Sequence, residues 1–241
     1  MGPDLSLALA LADEADAISL GRFRANDLLV ETKPDLTPVT EADRAVEAAI
    51  RTALARERPH DAVLGEEQGV SGGGTRRWIV DPIDGTRNYS RGIPVWATLI
   101  ALEEHGELRL GVVSAPALGR RWWAERGAGA FANGDRIGVS GVGSIRDAVL
   151  CFALEQPLPR IAQECWHVRG YGDFWAHMLV AEGAADGAID AVGVKLWDLA
   201  AVQPIVEEAG GRFTDLDGVA RADGGSAVSS NGLLHAALLE G

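Results

Sequence analysis

The chain has 241 residues and a formal charge of -13, from 22 Lys plus Arg against 35 Asp plus Glu. An acidic chain of this kind lacks the basic footprint of a nucleic-acid binder. A composition of 47% hydrophobic and 24% charged residues is globular rather than disordered. The length allows one large domain or two small ones, with a sizeable core. Two cysteines, Cys151 and Cys165, form no CxxC pair and point to a reduced, cytoplasmic setting. The apolar run at 5–12 has no basic flank and closes on Asp13 and Glu14. No stretch approaches the roughly 18 apolar residues of a spanning helix, so no membrane partner is expected.

In chain order, residues 4–23 carry Leu7, Leu11, Ala15 and Ile18 at helical spacing. Pro34 and Pro38 bracket a loop. Thr40 is a good N-cap for a second helix, with Asp43 in its first turn. Val46, Ile50 and Leu54 repeat every four residues as one buried stripe, which Pro59 ends. Short apolar runs at 62–64 and 78–80 read as strands. Longer strand candidates at 96–102 and 108–115 are joined by a polar turn, and 121–125 and 130–137 follow. From Asp147 onward, strand-like and helix-like segments alternate at 148–152, 173–182, 187–191, 198–208 and 212–214. Strands after helices, then alternation, predict a mixed α/β sandwich. Its two closely joined parts, 1–140 and 141–241, form one compact unit.

The most informative stretch is Asp81-Pro82-Ile83-Asp84-Gly85-Thr86. Pro82 biases Asp81 toward extended geometry at a strand end. Asp84 lies past a turn, and Gly85 and Thr86 open what reads as a helix. Carboxylates at a strand end suit hard divalent cations, and free amides at a helix start suit phosphate. Gly65-Glu66-Glu67 places further acids at another strand end. Asp198 follows Trp197 at a helix start. Together these suggest converging carboxylates, with Trp197 nearby.

Other motifs carry less. Gly69-Val70-Ser71-Gly72-Gly73 fits G-x-S-x-G, but lacks the strand before and the helix after that a nucleophile elbow needs. The glycines at 127–129 precede Asn133-Gly134, a hairpin signal rather than a dinucleotide turn. The five histidines form no HExxH pair, which argues against zinc. A covalent aspartyl-phosphate route is disfavoured because Asp81 and Asp84 are three apart, not two.

The segments DPIDGTRNY, GEE, VTEAD at 39–43 and WDLAA resemble the signature elements of the inositol-monophosphatase-like, magnesium-dependent phosphatases. The resemblance runs over essentially the whole chain. It implies a five-layer αβαβα sandwich of the inositol monophosphatase/fructose-1,6-bisphosphatase type, with two or three Mg2+ ions between its parts. It also implies that Glu66, Asp81, Asp84, Asp198 and the Ile83 carbonyl bind metal. Gly85 and Thr86 would cradle phosphate. Asp43 and Thr86 would orient a nucleophilic water, helped by Glu66. Glu67 would be structural, Lys33 would lie near the outer metal, and a homodimer is expected.

Residues 88–102 and 169–175 are similar to the histidinol-phosphatase branch of that family, which implies hydrolysis of L-histidinol phosphate. Inositol-specific members carry a Glu seven residues before the WD aspartate, where this chain has Ala191. Asp173 and Asp190 are candidate partners for the substrate's amine, and Asp198 for the substrate side of the site. Alternatives are an inositol monophosphatase, a broad sugar-phosphate phosphatase, and a non-catalytic metal- or phosphate-binding regulator.

Overall fold

The computed structural model describes residues 2–34, 36–153 and 159–240. Helix α1, Pro3–Arg22, begins with proline, whose missing N–H is no loss in a first helical turn. It buries Leu5, Ala8, Leu11, Ala12 and Ala15 along one face. The expected loop between Pro34 and Pro38 is the tip of a hairpin of β1, Val30–Thr32, and β2, Pro38–Thr40. Pro38 is the first residue of its strand, a position proline tolerates. Thr40 caps α2, Glu41–Glu57, where Asp43 closes a capping box and Val46, Ile50 and Leu54 are buried.

The larger sheet follows: β3 (Ala62–Gly65), β4 (Gly69–Ser71), β5 (Arg76–Asp84), then the five-residue helix α3 (Thr86–Ser90). It continues through β6 (Ala97–Glu104), β7 (Glu107–Ala115), β8 (Arg120–Glu125), β9 (Gly129–Ala132) and β10 (Asp135–Arg136). The strand order is β10-β9-β8-β7-β6-β5-β3-β4, with β3 and β5 parallel and the other neighbours antiparallel. The expected strand at 130–137 is two strands, split where Asn133 and Gly134 both take positive φ. The G-x-S-x-G segment forms edge strand β4, with no helix behind it.

The smaller sheet contains β11 (Val149–Phe152) and β12 (His167–Arg169). Helix α4 (Asp173–Ala181), β13 (Gly187–Asp190), α5 (Leu196–Leu199), α6 (Val202–Glu208), β14 (Arg212–Thr214), β15 (Ala227–Ser230) and α7 (His235–Glu240) complete the chain. Its strand order is β12-β11-β13-β15-β14. The helix expected over 198–208 is two helices. Pro204 offers no N–H to the Ala200 carbonyl, and its ring crowds that carbonyl, so the helix restarts.

Five layers result. Helices α1 and α2 cover one face of the larger sheet through Leu11, Ile50, Leu54, Trp78 and Val112. Its other face packs Ile79, Leu99 and Val113 against α4, α5 and α6. Those central helices also meet the smaller sheet, where Cys151 and Ala188 touch Ala176 and Val180. On the far side, Leu150, Phe152 and Val228 pack against Leu238 of α7. Each large side chain so buried contributes about 1.5–3 kcal/mol. The central layer is tightly seated: a Cβ on Gly111 of β7 would lie 2.1 Å from the Ala201 carbonyl oxygen.

Candidate active site

Asp81 and Asp84 are three residues apart, so a regular strand would point them to opposite faces. The pairing of β5 with β6 slips between them: Asp81 faces Leu99 and Asp84 faces Ala97. Three steps on β5 thus match two on β6, a bulge that restores both carboxylates to one side. Pro82 has no N–H to miss in the ladder, and its carbonyl accepts from Thr98 Oγ1 at 2.8 Å. The strand therefore runs through Asp84 rather than ending at Asp81.

Carboxylate oxygens of Asp81, Asp84 and Asp198 lie within 4.8 Å of one another. Asp198 enters from the start of α5, where its Oδ2 accepts from the Lys195 amide at 2.6 Å. Asp84 Oδ2 accepts from the Phe174 amide of α4 at 2.7 Å. Trp197 is rotated away by the helix and packs on the central core. Burial raises the Asp81 carboxyl far above the usual range, and the charges of Glu66, Asp84 and Asp198 add to it. Asp84 is raised in the same direction, by burial and then by Asp173 and Asp198. Desolvation is also the main cause that pushes Asp198 up to about 7.

Glu66 reaches the same cavity by a different route. Its amide donates to the Val80 carbonyl at 3.2 Å, which extends the β3–β5 pairing alongside Asp81. Its Oε1 takes Lys33 Nζ at 2.7 Å, and Glu67 Oε1 takes the same ammonium at 2.5 Å. Burial works against the Lys33 charge, but the two carboxylates outweigh it and hold the ammonium above the ordinary lysine range. Glu66 thus shares the Lys33 ammonium with Glu67, whereas Asp81 feels chiefly the like charges of Glu66, Asp84, Asp198 and Asp43.

The sequence reading missed the residue that fixes this turn. Glu47 is fully buried, and its carboxylate accepts from the amides of Glu67 at 2.7 Å and Gln68 at 3.0 Å. Arg51 Nε pairs with it at 2.8 Å. Gly65 makes room: a Cβ there would sit 2.3 Å from Glu47 Oε1. The legible signal was a Glu on the Val46–Ile50 stripe with Arg one turn later.

Asp43 is buried at the start of α2. Its Oδ2 accepts from the Thr40 amide at 2.9 Å and from the Thr40 hydroxyl, and Thr86 Oγ1 lies 3.1 Å from its Oδ1. Burial raises its pKa, and the Thr40 and Thr86 bonds partly offset that. Thr86 Oγ1 is also 2.9 Å from the Ile83 carbonyl. Gly85 precedes α3 at φ 85°, and a Cβ there would meet the Val95 carbonyl oxygen at 3.0 Å. A glycine is required on both counts.

The carboxylate cluster and the start of α3 line one cavity of about 580 Å³. Glu66, Asp81, Ile83, Asp84, Gly85, Thr86 and Asp198 line it together with Gly172, Asp173, His177, Asp190 and Val192, and Asp173 Oδ2 lies 3.5 Å from where a Gly85 Cβ would sit. Asp173 is the first residue of α4, with φ 54°. Asp190, at the end of β13, is buried, and its Oδ2 takes His177 Nε2 at 2.9 Å.

The five layers and the carboxylate cavity at their junction define a class. Residues 3–240 match the model of the inositol monophosphatase family, and the chain belongs to that family. It is similar to the histidinol-phosphatase of Mycobacterium tuberculosis, 56% identical over 96% of this chain and 95% of the relative. The histidinol-phosphatase of Streptomyces coelicolor is 51% identical over 98% and 95%. Among solved structures, the extragenic suppressor protein suhB of Bartonella henselae superposes with a TM-score of 0.91 at 29% identity, over 99% of this chain and 98% of that one.

Proposed function

We propose that the chain is a divalent-cation-dependent phosphomonoesterase that hydrolyses L-histidinol phosphate to L-histidinol and phosphate. The carrying observation is the cluster of buried Asp81 and Asp84 with half-buried Asp198, which repel one another beside the Asp43–Thr86 pair. The substrate follows from full-length similarity to the two histidinol-phosphatases. Ala191, where inositol-specific members carry Glu, supports the same choice over inositol monophosphate.

The donor set fits a hard cation. All side-chain donors are carboxylate oxygens, the Ile83 carbonyl adds another, and burial with mutual repulsion raises the carboxyls of the cluster, which a bound cation would relieve. We assign Mg2+, two or three ions, to Glu66, Asp81, Ile83, Asp84 and Asp198. Bound cations supply positive charge for the phosphoryl oxygens and lower the pKa of a water.

The chain's own groups do the positioning. A hydroxyl has one hydrogen. When Thr86 donates it to Asp43 Oδ1, the Ile83 carbonyl is left free, and a Thr86 lone pair faces the cavity to accept from water. Asp43, with its raised pKa, is suited to draw proton density through Thr86. The water oxygen bonds to phosphorus, the ester P–O bond breaks, and a proton ends on the departing alcohol. Gly85 and Thr86 bring backbone amides to the phosphate at the start of α3, where first-turn N–H groups have no intrahelical acceptor. Asp173 and Asp190 face the organic part, and Asp198 also lies on the substrate side.

The substrate is a small phosphorylated metabolite met in the cytoplasm. The parts 1–140 and 141–241 act as one unit, paired in a homodimer. The net charge of -13 argues against a nucleic-acid partner. Among the described residues no helix is long and apolar enough to cross a membrane. Phosphate release from histidinol phosphate with Mg2+, abolished by chelator and restored by excess Mg2+, is the expected result. Metal-independent release, or none at all, would remove the proposal.

A further inference from the structure

One helix fastens both walls of the cavity. The first turn of α4 gives the Phe174 amide to Asp84, within the carboxylate cluster. One turn later, on the same side of the helix, His177 reaches Asp190 on the opposite wall. His177 is 1% exposed, and its Nδ1 lies 2.8 Å from Ser229 Oγ of β15. Ser229 pairs with Ala188 on β13, two residues before Asp190, so the strand pairing sets the same geometry.

The donor and acceptor inventory gives this chain of bonds a direction. A carboxylate only accepts, so Nε2 must carry the proton toward Asp190 Oδ2. Ser229 Oγ, which can donate or accept, completes the chain at Nδ1. The second Asp190 oxygen, Oδ1, makes no hydrogen bond among the described residues, and Asp190 lines the cavity. A buried carboxylate with one free oxygen and no Lys or Arg partner is a receptor for a cation.

We propose that His177 is a positioning residue, which together with Ser229 holds Asp190 so that its free oxygen receives the ammonium group of an amine-bearing phosphate monoester. This rests on the substrate reading above and deepens it. Asp190 makes the contact; His177 acts through it and touches no reacting atom. Asp190 also contributes to the rise of the Asp84 pKa, which places the ammonium site within electrostatic range of the cluster.

The test compares histidinol phosphate with 3-(imidazol-4-yl)propyl phosphate, the same ester without its amine, on the Mg2+-loaded enzyme. The readout is the ratio of kcat/KM for the two substrates. His177→Leu is expected to lower that ratio about tenfold, mainly through KM for histidinol phosphate. His177→Gln, whose amide nitrogen can replace Nε2–H, is expected to restore the ratio to within about threefold of wild type. Ser229→Ala, a smaller change, is expected to move it about threefold in the same direction and serves if the leucine variant does not fold. A wild-type ratio that is large and unmoved in folded His177 and Ser229 variants overturns the positioning role alone. A wild-type ratio near one overturns the amine-bearing substrate, and this assignment with it.

Discussion

The two walls of the cavity are built on different principles. The Asp81–Asp84 wall concentrates like charges, and pKa values rise across it. The Asp190 wall holds its carboxylate in a hydrogen-bonded chain from Ser229 through His177. The first arrangement suits divalent cations, whose chemistry would serve any phosphate ester. The second is satisfied at rest and presents one oxygen, which suits a single organic group. Turnover and selectivity are therefore separable, and substitutions on the two walls should fail in different ways.

The largest effect is expected on the charged wall. Asp84→Asn removes a carboxylate that both joins the cluster and anchors α4, and kcat should fall about a thousandfold or more with the fold intact. Near-wild-type turnover in the purified variant would show that the cluster is not the reactive centre. Next, Thr86→Ala should cost about a hundredfold in kcat with little change in KM, the scale of one proton-handling group. A KM effect alone would recast Thr86 as a phosphate contact.

Beside the cluster, at the start of α4, Asp173→Asn should raise KM for histidinol phosphate by up to about tenfold and leave kcat nearly unchanged, the size of one lost charge contact. An unchanged KM would leave the amine to Asp190 alone. Glu47→Gln sharpens the comparison from behind the charged wall. It replaces an acceptor of two amides by a group with a donor of its own, so stability should fall by about 1–3 kcal/mol. Divalent-cation affinity, read by calorimetry, should weaken as the Glu66 turn loosens. Unchanged affinity would confine Glu47 to the fold.

The smallest effect lies away from the cavity. His235 is buried between Thr214 and Ser230, and burial pushes its pKa down to about 4 from 6.5. The unfolded chain then binds the proton more readily than the folded one. This contribution to stability is full above pH 6.5 and is lost as pH falls toward 4. His235→Gln should flatten part of that slope in thermal melts taken between pH 7 and pH 4. An unaltered slope would place the acid sensitivity elsewhere.

The walls also differed in how far the sequence disclosed them. Asp84, Glu66 and Asp198 each sit at an element end with a local signal, Pro82 marked Asp81 although the strand runs on through it, and Thr40 announced α2 with Asp43 in its first turn. The bulge that turns Asp81 and Asp84 to one side was not legible, because register belongs to the partner strand. Glu47 was hidden for a related reason: its partners lie about 20 positions away, across a turn. The His177–Asp190–Ser229 chain joins a helix and two strands that only the tertiary fold brings together, and single histidines carry no spacing to read. Hairpin β1–β2 escaped because β1 is wholly exposed and has no apolar alternation. The split of 198–208 was legible in Pro204, whose effect on Ala200 follows from its ring.

The most direct measurement is phosphate release with Mg2+ from histidinol phosphate, inositol 1-phosphate, fructose 1,6-bisphosphate and 3′-phosphoadenosine 5′-phosphate, side by side, each repeated with chelator. Two cooperating walls require a kcat/KM for histidinol phosphate at least about tenfold above the others, the scale of one well-made polar contact, with every activity lost in chelator. A preference for inositol 1-phosphate, or release that persists without metal, would contradict them.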